Sequence, residues 1–174
     1  VAQINPYSNG DFPLSHILLT HSHFDHVGGV PLLRKAFPNA QLITSPLTAE
    51  ILNSEAQLQD IYDRNRACAE ALNVEFDLSF ADFQKAFQIS RIVSEGDTLN
   101  IGEGVEVKVV GCPGHTADCT GYFVKAASAF AAGEAVGGYS GREKITPCFL
   151  SNSDDYIQTL DKIQALDIRY LSLP

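Results

Sequence analysis

At 174 residues, 45% hydrophobic and 19% charged, the chain has the size and composition of a single globular domain with a buried core. A net charge of −9 with no Lys/Arg cluster excludes nucleic acid and an anionic membrane surface as expected partners, because both are bound through cationic side chains. No apolar run approaches the roughly 18 residues of a membrane span. Cys68, Cys112, Cys119 and Cys148 form no CxxC pair and read as reduced thiols of a cytoplasmic protein.

The chain opens on VAQINPYSNG and contains no methionine. It reads as a fragment, or as a chain from which modified methionines have dropped out, and no signal peptide is visible. Residues 16–20 (HILLT) form a short apolar run, predicted to be a buried strand. HSHFDH (21–26) follows as a loop, and Gly28 and Gly29 lead into a short helix, VPLLRKAF, that stops near Pro38. Residues 41–44 (QLIT) are the next strand. From Pro46 to about Gln88 helix formers dominate, and two or three helices are expected with no strand between them. There Phe80, Phe83 and Phe87 stand at i, i+3 and i+7. Short strands follow at 91–93, 98–101, 105–110, 121–125 and 129–132, punctuated by Gly, Asp and Pro. Residues 135–152 read as a loop, 154–166 as an amphipathic helix with Ser153 as its N-cap, and 169–173 as a final strand. Helices and strands mix without regular βαβ alternation, which points to a layered α+β fold.

Three of the five histidines fall within residues 21–26, with Asp25 among them. Neutral imidazole and carboxylate are the usual ligands of zinc, and of iron or manganese. His21 and His23, two residues apart, project to one side of an extended segment and can clamp one ion. Asp25 and His26 lie beyond the turn and can reach a second position. A histidine-rich surface loop is the plain alternative, and a lone histidine would favour it. Four ligand-type residues between an apolar strand and a Gly-Gly helix start favour metal.

At this point the chain resembles the metallo-β-lactamase superfamily. THSHFDHVGG (20–29) matches that family's THxHxDHxGG, GCPGHT (111–116) its PGHT segment, and FAAGEAVGG (130–138) its FTGDxxxG. The resemblance spans nearly the whole chain and implies a four-layer αβ/βα sandwich, a single domain over 1–174. It implies a piece incomplete at both ends. The family's first strands are reduced to a stub, and LSLP (171–174) stands where the segment with its last histidine would begin. By the same resemblance His21, His23 and His115 bind a first metal, Asp25 and His26 a second, and Glu134 takes the position of the bridging aspartate. The extra methylene of Glu134 moves the carboxylate by roughly 1.5 Å, against metal–oxygen distances of about 2.0–2.2 Å. That step is large enough to shift, weaken or empty the second site; the plain alternative for Glu134 is a surface acid. His16 is expected to be packed, and Cys112 and Cys119 to be small core residues.

The implied activity is hydrolysis of a small thioester, lactone or ester by a water activated between two divalent ions, zinc first, with iron or manganese as alternatives. Asp25 would orient that water or carry its proton. An iron-dependent oxidoreductase of the persulfide dioxygenase kind and a non-catalytic sensor are the competing readings. Residues 46–88 resemble a helical insertion that covers the pocket in thioesterase-like members. Tyr62, Phe76, Phe80, Phe83 and Phe87 would line an acyl or aromatic pocket there, or simply pack the helices down. Arg142 and Lys144 are candidates for a substrate anion, with a solvated surface pair the favoured reading. The expected partner is a small-molecule substrate, and a homo-oligomer is compatible with the sequence.

Overall fold

The computed structural model describes residues 14–139, 141 and 144–174. The chain divides into two compact units, Val1–Thr44 with Ala49–Ile92, and Ser45–Thr48 with Val93–Pro174. The N-terminal stub expected before the first strand lies outside the described residues.

In the first unit, three short strands run parallel in the order β1 (His16–Leu18), β2 (Gln41–Thr44), β3 (Arg91–Ile92). Ile17 stands opposite Leu42, and Ile43 opposite Arg91. Parallel neighbours need long crossovers. Here helices supply them: α1 (Phe24–Val27) and α2 (Val30–Ala36), then α3 (Pro46–Asn53), α4 (Glu55–Ala71) and α5 (Phe80–Ala86). The segment 46–88 is therefore three helices without a strand, as its composition predicts. Ile17, Val27, Leu42, Leu58 and Phe83 fall in one buried cluster. Each such side chain contributes about 1.5–3 kcal/mol by leaving water.

The aromatic stripe belongs to that cluster. The Tyr62 ring meets Phe76, Phe80 and Phe83 edge-on at 5.4, 5.6 and 5.4 Å, and Phe83 lies 5.0 Å from Phe87. Tyr62 Oη donates to the Leu78 carbonyl at 2.7 Å, so its polar end is satisfied. The stripe thus packs α5 and its approach onto α4, the plainer of its two expected roles.

HSHFDH departs from the expected loop. His21 and His23 are non-helical, but Phe24–Val27 close a helical turn, with the His26 and Val27 amides donating to the His23 carbonyl. Four residues are too few to show a period in sequence, yet Phe24 and Val27 stand at i, i+3 and both pack on the core. Gly28 ends the turn where Asn65 of α4 donates to the Phe24 carbonyl. A Cβ on Gly28 would sit 2.0 Å from Asn65 Oδ1, so α4 comes this close only because that residue is glycine.

The second unit holds a sheet ordered β10-β7-β6-β5-β4. Its strands are β4 (Thr98–Asn100), β5 (Glu106–Gly111), β6 (Thr120–Val124), β7 (Ala129–Ala131) and β10 (Tyr170–Ser172). Consecutive strands β4 to β7 pair antiparallel, and β10 joins β7 in parallel. Cys112, Phe123, Phe130, Ala132 and Ile163 form its core. Residues 135–152, expected as a loop, contain a small hairpin of β8 (Gly138–Tyr139) and β9 (Ile145–Thr146). Two-residue strands are too short to alternate visibly. The last helix, α6 (Ser153–Gln164), is capped by Asn152 rather than the expected Ser153. Asn152 Oδ1 accepts from the amides of Asp154 and Asp155 at 2.8 and 3.0 Å, while Ser153 is already helical.

Candidate metal centre

In the first unit, β1 delivers the chain to HSHFDH. His21 is fully buried and His23 half-buried. The His21 ring centroid lies 4.8 Å from that of His23 and 4.2 Å from that of His26, so all three imidazoles share one neighbourhood. Thr20 Oγ1 is 3.1 Å from His21 Nδ1. With the proton on Nδ1 donated to that hydroxyl, Nε2 keeps its lone pair for a ligand. Asp25 is exposed, and its Oδ2 stands 3.9 Å from His26 Nε2.

In the second unit, GCPGHT follows β5 and is held mainly by α6 and the residues before it. Thr159 Oγ1 donates to the Pro113 carbonyl at 2.8 Å, and Lys162 Nζ to the Gly111 carbonyl at 2.9 Å. The Ser151 and Asn152 amides donate to the Gly114 carbonyl, and the Leu150 amide to that of His115. Gly114 has φ +133°, and a Cβ there would lie 2.4 Å from Tyr156 Cα. Only glycine allows both that backbone angle and that approach.

The result is a buried, fixed His115. Its Nδ1 lies 2.9 Å from the Cys148 carbonyl, which can only accept, so the proton is on Nδ1. Its Nε2 lies 2.6 Å from Glu134 Oε2. Glu134 sits in the turn after β7, with its side chain one-fifth exposed. A neutral imidazole nitrogen and a carboxylate oxygen would oppose two lone pairs at this distance. The pair calls for a cation between or beside them, either a proton or a metal ion. An imidazole fixed through its far nitrogen by a carbonyl is also the usual arrangement behind a metal-bound histidine. Within each unit, the nitrogen and oxygen donors have the chemistry of divalent-metal ligands.

The other sequence-singled residues take lesser places. His16 is half-buried on β1 with Nδ1 2.8 Å from Ser15 Oγ. Cys112 and Cys119 are buried core residues; burial pushes their thiols up to about 12 and about 11, so both are protonated at neutral pH. Lys144 is exposed, and Arg142 lies outside the described residues. Two participants were not foreseen, Thr20 and the Cys148 carbonyl, and one buried acid apart from them, Asp118, was not singled out. Asp118 is buried in the second unit, with Thr48 Oγ1 donating to its carboxylate at 2.8 Å and Ser45 Oγ to its carbonyl at 3.3 Å. Thr20 stands in the quoted motif, and Asp118 three residues past His115; a backbone carbonyl leaves no mark in sequence.

A family model described as the metallo-beta-lactamase superfamily matches residues 8–174. Among curated proteins, the atrochrysone carboxyl ACP thioesterase of Aspergillus fumigatus is 27% identical over 158 residues, which is 91% of this chain and 37% of that protein. A hydroxyacylglutathione hydrolase of Ectopseudomonas mendocina is 43% identical over 53 residues, covering 30% of this chain and 20% of that one. The matches thus span well under half the length of these relatives. Among solved structures, an archaeal metallo-beta-lactamase superfamily protein of Sulfolobus tokodaii shares the fold. Its TM-score is 0.66 at 20% identity, over 91% of this chain and 60% of that one.

Proposed function

The chain belongs to the metallo-beta-lactamase superfamily, and from that premise we propose that it is a metal-dependent hydrolase acting on the carbonyl of a small thioester, lactone or ester. The observation that carries this reading is the His115–Glu134 pair: a buried imidazole with its proton committed to the Cys148 carbonyl, presenting Nε2 to a carboxylate. The names of the two curated relatives, a thioesterase and a hydrolase, support a thioester as the first substrate to try.

In this reading, which rests on the family pattern, His21, His23 and His115 would hold a first ion. Asp25 and His26 would hold a second ion, with Glu134 in the position of the family's bridging aspartate. A bound divalent ion supplies Lewis-acid polarisation of the carbonyl and an acidified water. The Cys148 carbonyl holds His115 in the tautomer that leaves Nε2 for an ion, and Thr20 Oγ1 shares a hydrogen bond with His21 Nδ1. Asp25, exposed beside His26, would orient the attacking water or carry its proton to the leaving thiol or alcohol. Cys112 and Cys119 stay out of the chemistry because they are buried and protonated.

The test is metal analysis followed by turnover. Protein loaded in turn with zinc, iron or manganese is offered thioester and lactone panels. Hydrolysis that disappears with the metal in His115→Ala supports the reading. Oxygen consumption with a persulfide in place of hydrolysis would replace it by the oxidative one. Full loading with no turnover in either assay would leave a binding protein.

A further inference from the structure

The loop that carries His115 runs from Cys112 to Cys119 and closes on itself. The Cys112 amide donates to the Cys119 carbonyl at 2.9 Å, and Thr116 Oγ1 lies 3.0 Å from Cys119 Sγ. The first half of the loop is held by α6 and the residues before it, with the Cys148 carbonyl on His115 itself. The second half is held through Asp118, by residues 45–48 (SPLT) of the same unit. Thr48 Oγ1 donates to the Asp118 carboxylate at 2.8 Å, and Ser45 Oγ to the Asp118 carbonyl at 3.3 Å.

Asp118 is only 4% exposed, and Thr48 is fully buried. A buried carboxylate costs free energy unless it is hydrogen-bonded, so its presence three residues past His115 calls for a reason. Stability alone is a poor one, because an apolar pair of the same shape would serve as well. What the bond adds is position: the carboxylate meets the hydroxyl in one arrangement of the loop. The helix on the other side does not need Asp118. The Thr48 amide donates to Ser45 Oγ at 3.2 Å, so Ser45 caps α3 by itself.

We propose that Asp118 is a positioning residue for His115: its bond to Thr48 clips the second half of the loop, as segment 148–152 fixes the first, and so sets where His115 Nε2 is presented. The purpose of the clip rests on the metal reading above, but its existence is tested apart from that reading. An imidazole whose loop is held on both sides meets an ion without rearrangement. One held on a single side can swing, and ordering it again costs affinity. Asp118 acts through the backbone of the loop, so its loss should weaken zinc binding while the ligand atom itself stays in the chain.

Two readouts test the clip. Imidazole NMR of metal-free protein follows solvent exchange of the His115 Nδ1 proton, which the Cys148 carbonyl holds. Chelator competition measures zinc affinity. Asp118→Ala and Thr48→Val should each weaken zinc binding about 10- to 100-fold, the range for a lost outer partner, and speed the exchange by a comparable factor. The double variant should be no worse than either alone, since both remove one bond. Asp118→Asn, whose amide oxygen still accepts from Thr48, should restore most of both. Ser45→Ala removes the α3 cap but not the carboxylate bond; it should lower the thermal midpoint and leave both readouts unchanged. If Asp118→Ala lowers only the midpoint, with proton exchange and zinc affinity as in the unsubstituted protein, Asp118 is merely structural and the proposal falls. It falls equally if Asp118→Asn loses as much as Asp118→Ala. Where Asp118→Ala does not fold, Thr48→Val, which keeps both the volume and the carboxylate, decides the matter. An unsubstituted protein that binds no zinc would remove the metal reading, and proton exchange alone would then uphold or overturn the clip.

Discussion

Glu134 is the residue on which the chemistry of the centre turns. Its carboxylate oxygen is already 2.6 Å from His115 Nε2, so it is near enough to share an ion with that imidazole. By the sequence resemblance an aspartate, one methylene shorter, would be expected at this position. Glu134→Asp should raise the bound metal per chain, read by elemental analysis, if Glu134 reaches towards a second ion; an unchanged count would take it out of the ligand set. The thiols give a second prediction at this scale. Cys68 is exposed, whereas Cys112 and Cys119 are buried with thiols pushed up to about 12 and about 11. A thiol reagent at neutral pH should label Cys68 at once, and Cys112 and Cys119 only on unfolding. Above about pH 8.5, the ordinary thiol value, unfolded chains lose these two protons while folded chains keep them. The unfolded state then binds fewer protons, so the melting midpoint should fall as pH rises from there towards 11. Candidate ligands stand out in sequence because they are side chains of a few types at close spacings. The Cys148 carbonyl was not readable, since it is backbone from a segment distant in sequence that folding brings to His115.

Elements were legible in proportion to their length. The helices of 46–88 and the amphipathic α6 show their composition or period over enough residues to be recognised. The strands β8 and β9 have two residues each, and α1 has four, too few for any period to emerge, whereas β3, equally short, falls within the strand expected at 91–93. Their existence depends on partners far along the chain, as when Tyr139 finds Ile145. The cap of α6 was misplaced by one residue because Asn152 and Ser153 are both good caps, and only the backbone decides between them. Asn152→Ala should therefore cost about 1 kcal/mol in denaturant unfolding, and Ser153→Ala much less. Gly114 joins this element to the centre. Gly114→Ala forces a Cβ against the Tyr156 backbone at a positive φ. It should lower both the melting midpoint and metal retention, since the loop it displaces carries His115. Retained metal with a lowered midpoint would show that the loop can yield without moving the imidazole.

For the molecule as a whole, a net charge of −9 complicates any claim about metal. An acidic chain gains stability from cations in general, by screening its own repulsion, and no site is needed for that. A site differs in concentration and in selectivity. Ligand that binds only the folded state raises stability by about 2.7 kcal/mol at one hundred times its dissociation constant. General screening at micromolar cation contributes almost nothing. Chelator-treated protein should therefore melt several degrees lower than protein in micromolar zinc, by scanning calorimetry. Calcium at the same concentration should not restore the loss, because imidazole ligands select zinc over a hard oxygen-seeking cation. His115→Ala should melt at one temperature with or without zinc. If calcium or 0.15 M sodium chloride reproduced the zinc shift, or if His115→Ala kept it, the stabilisation would be diffuse charge screening. HSHFDH and GCPGHT would then be polar segments without an ion to hold.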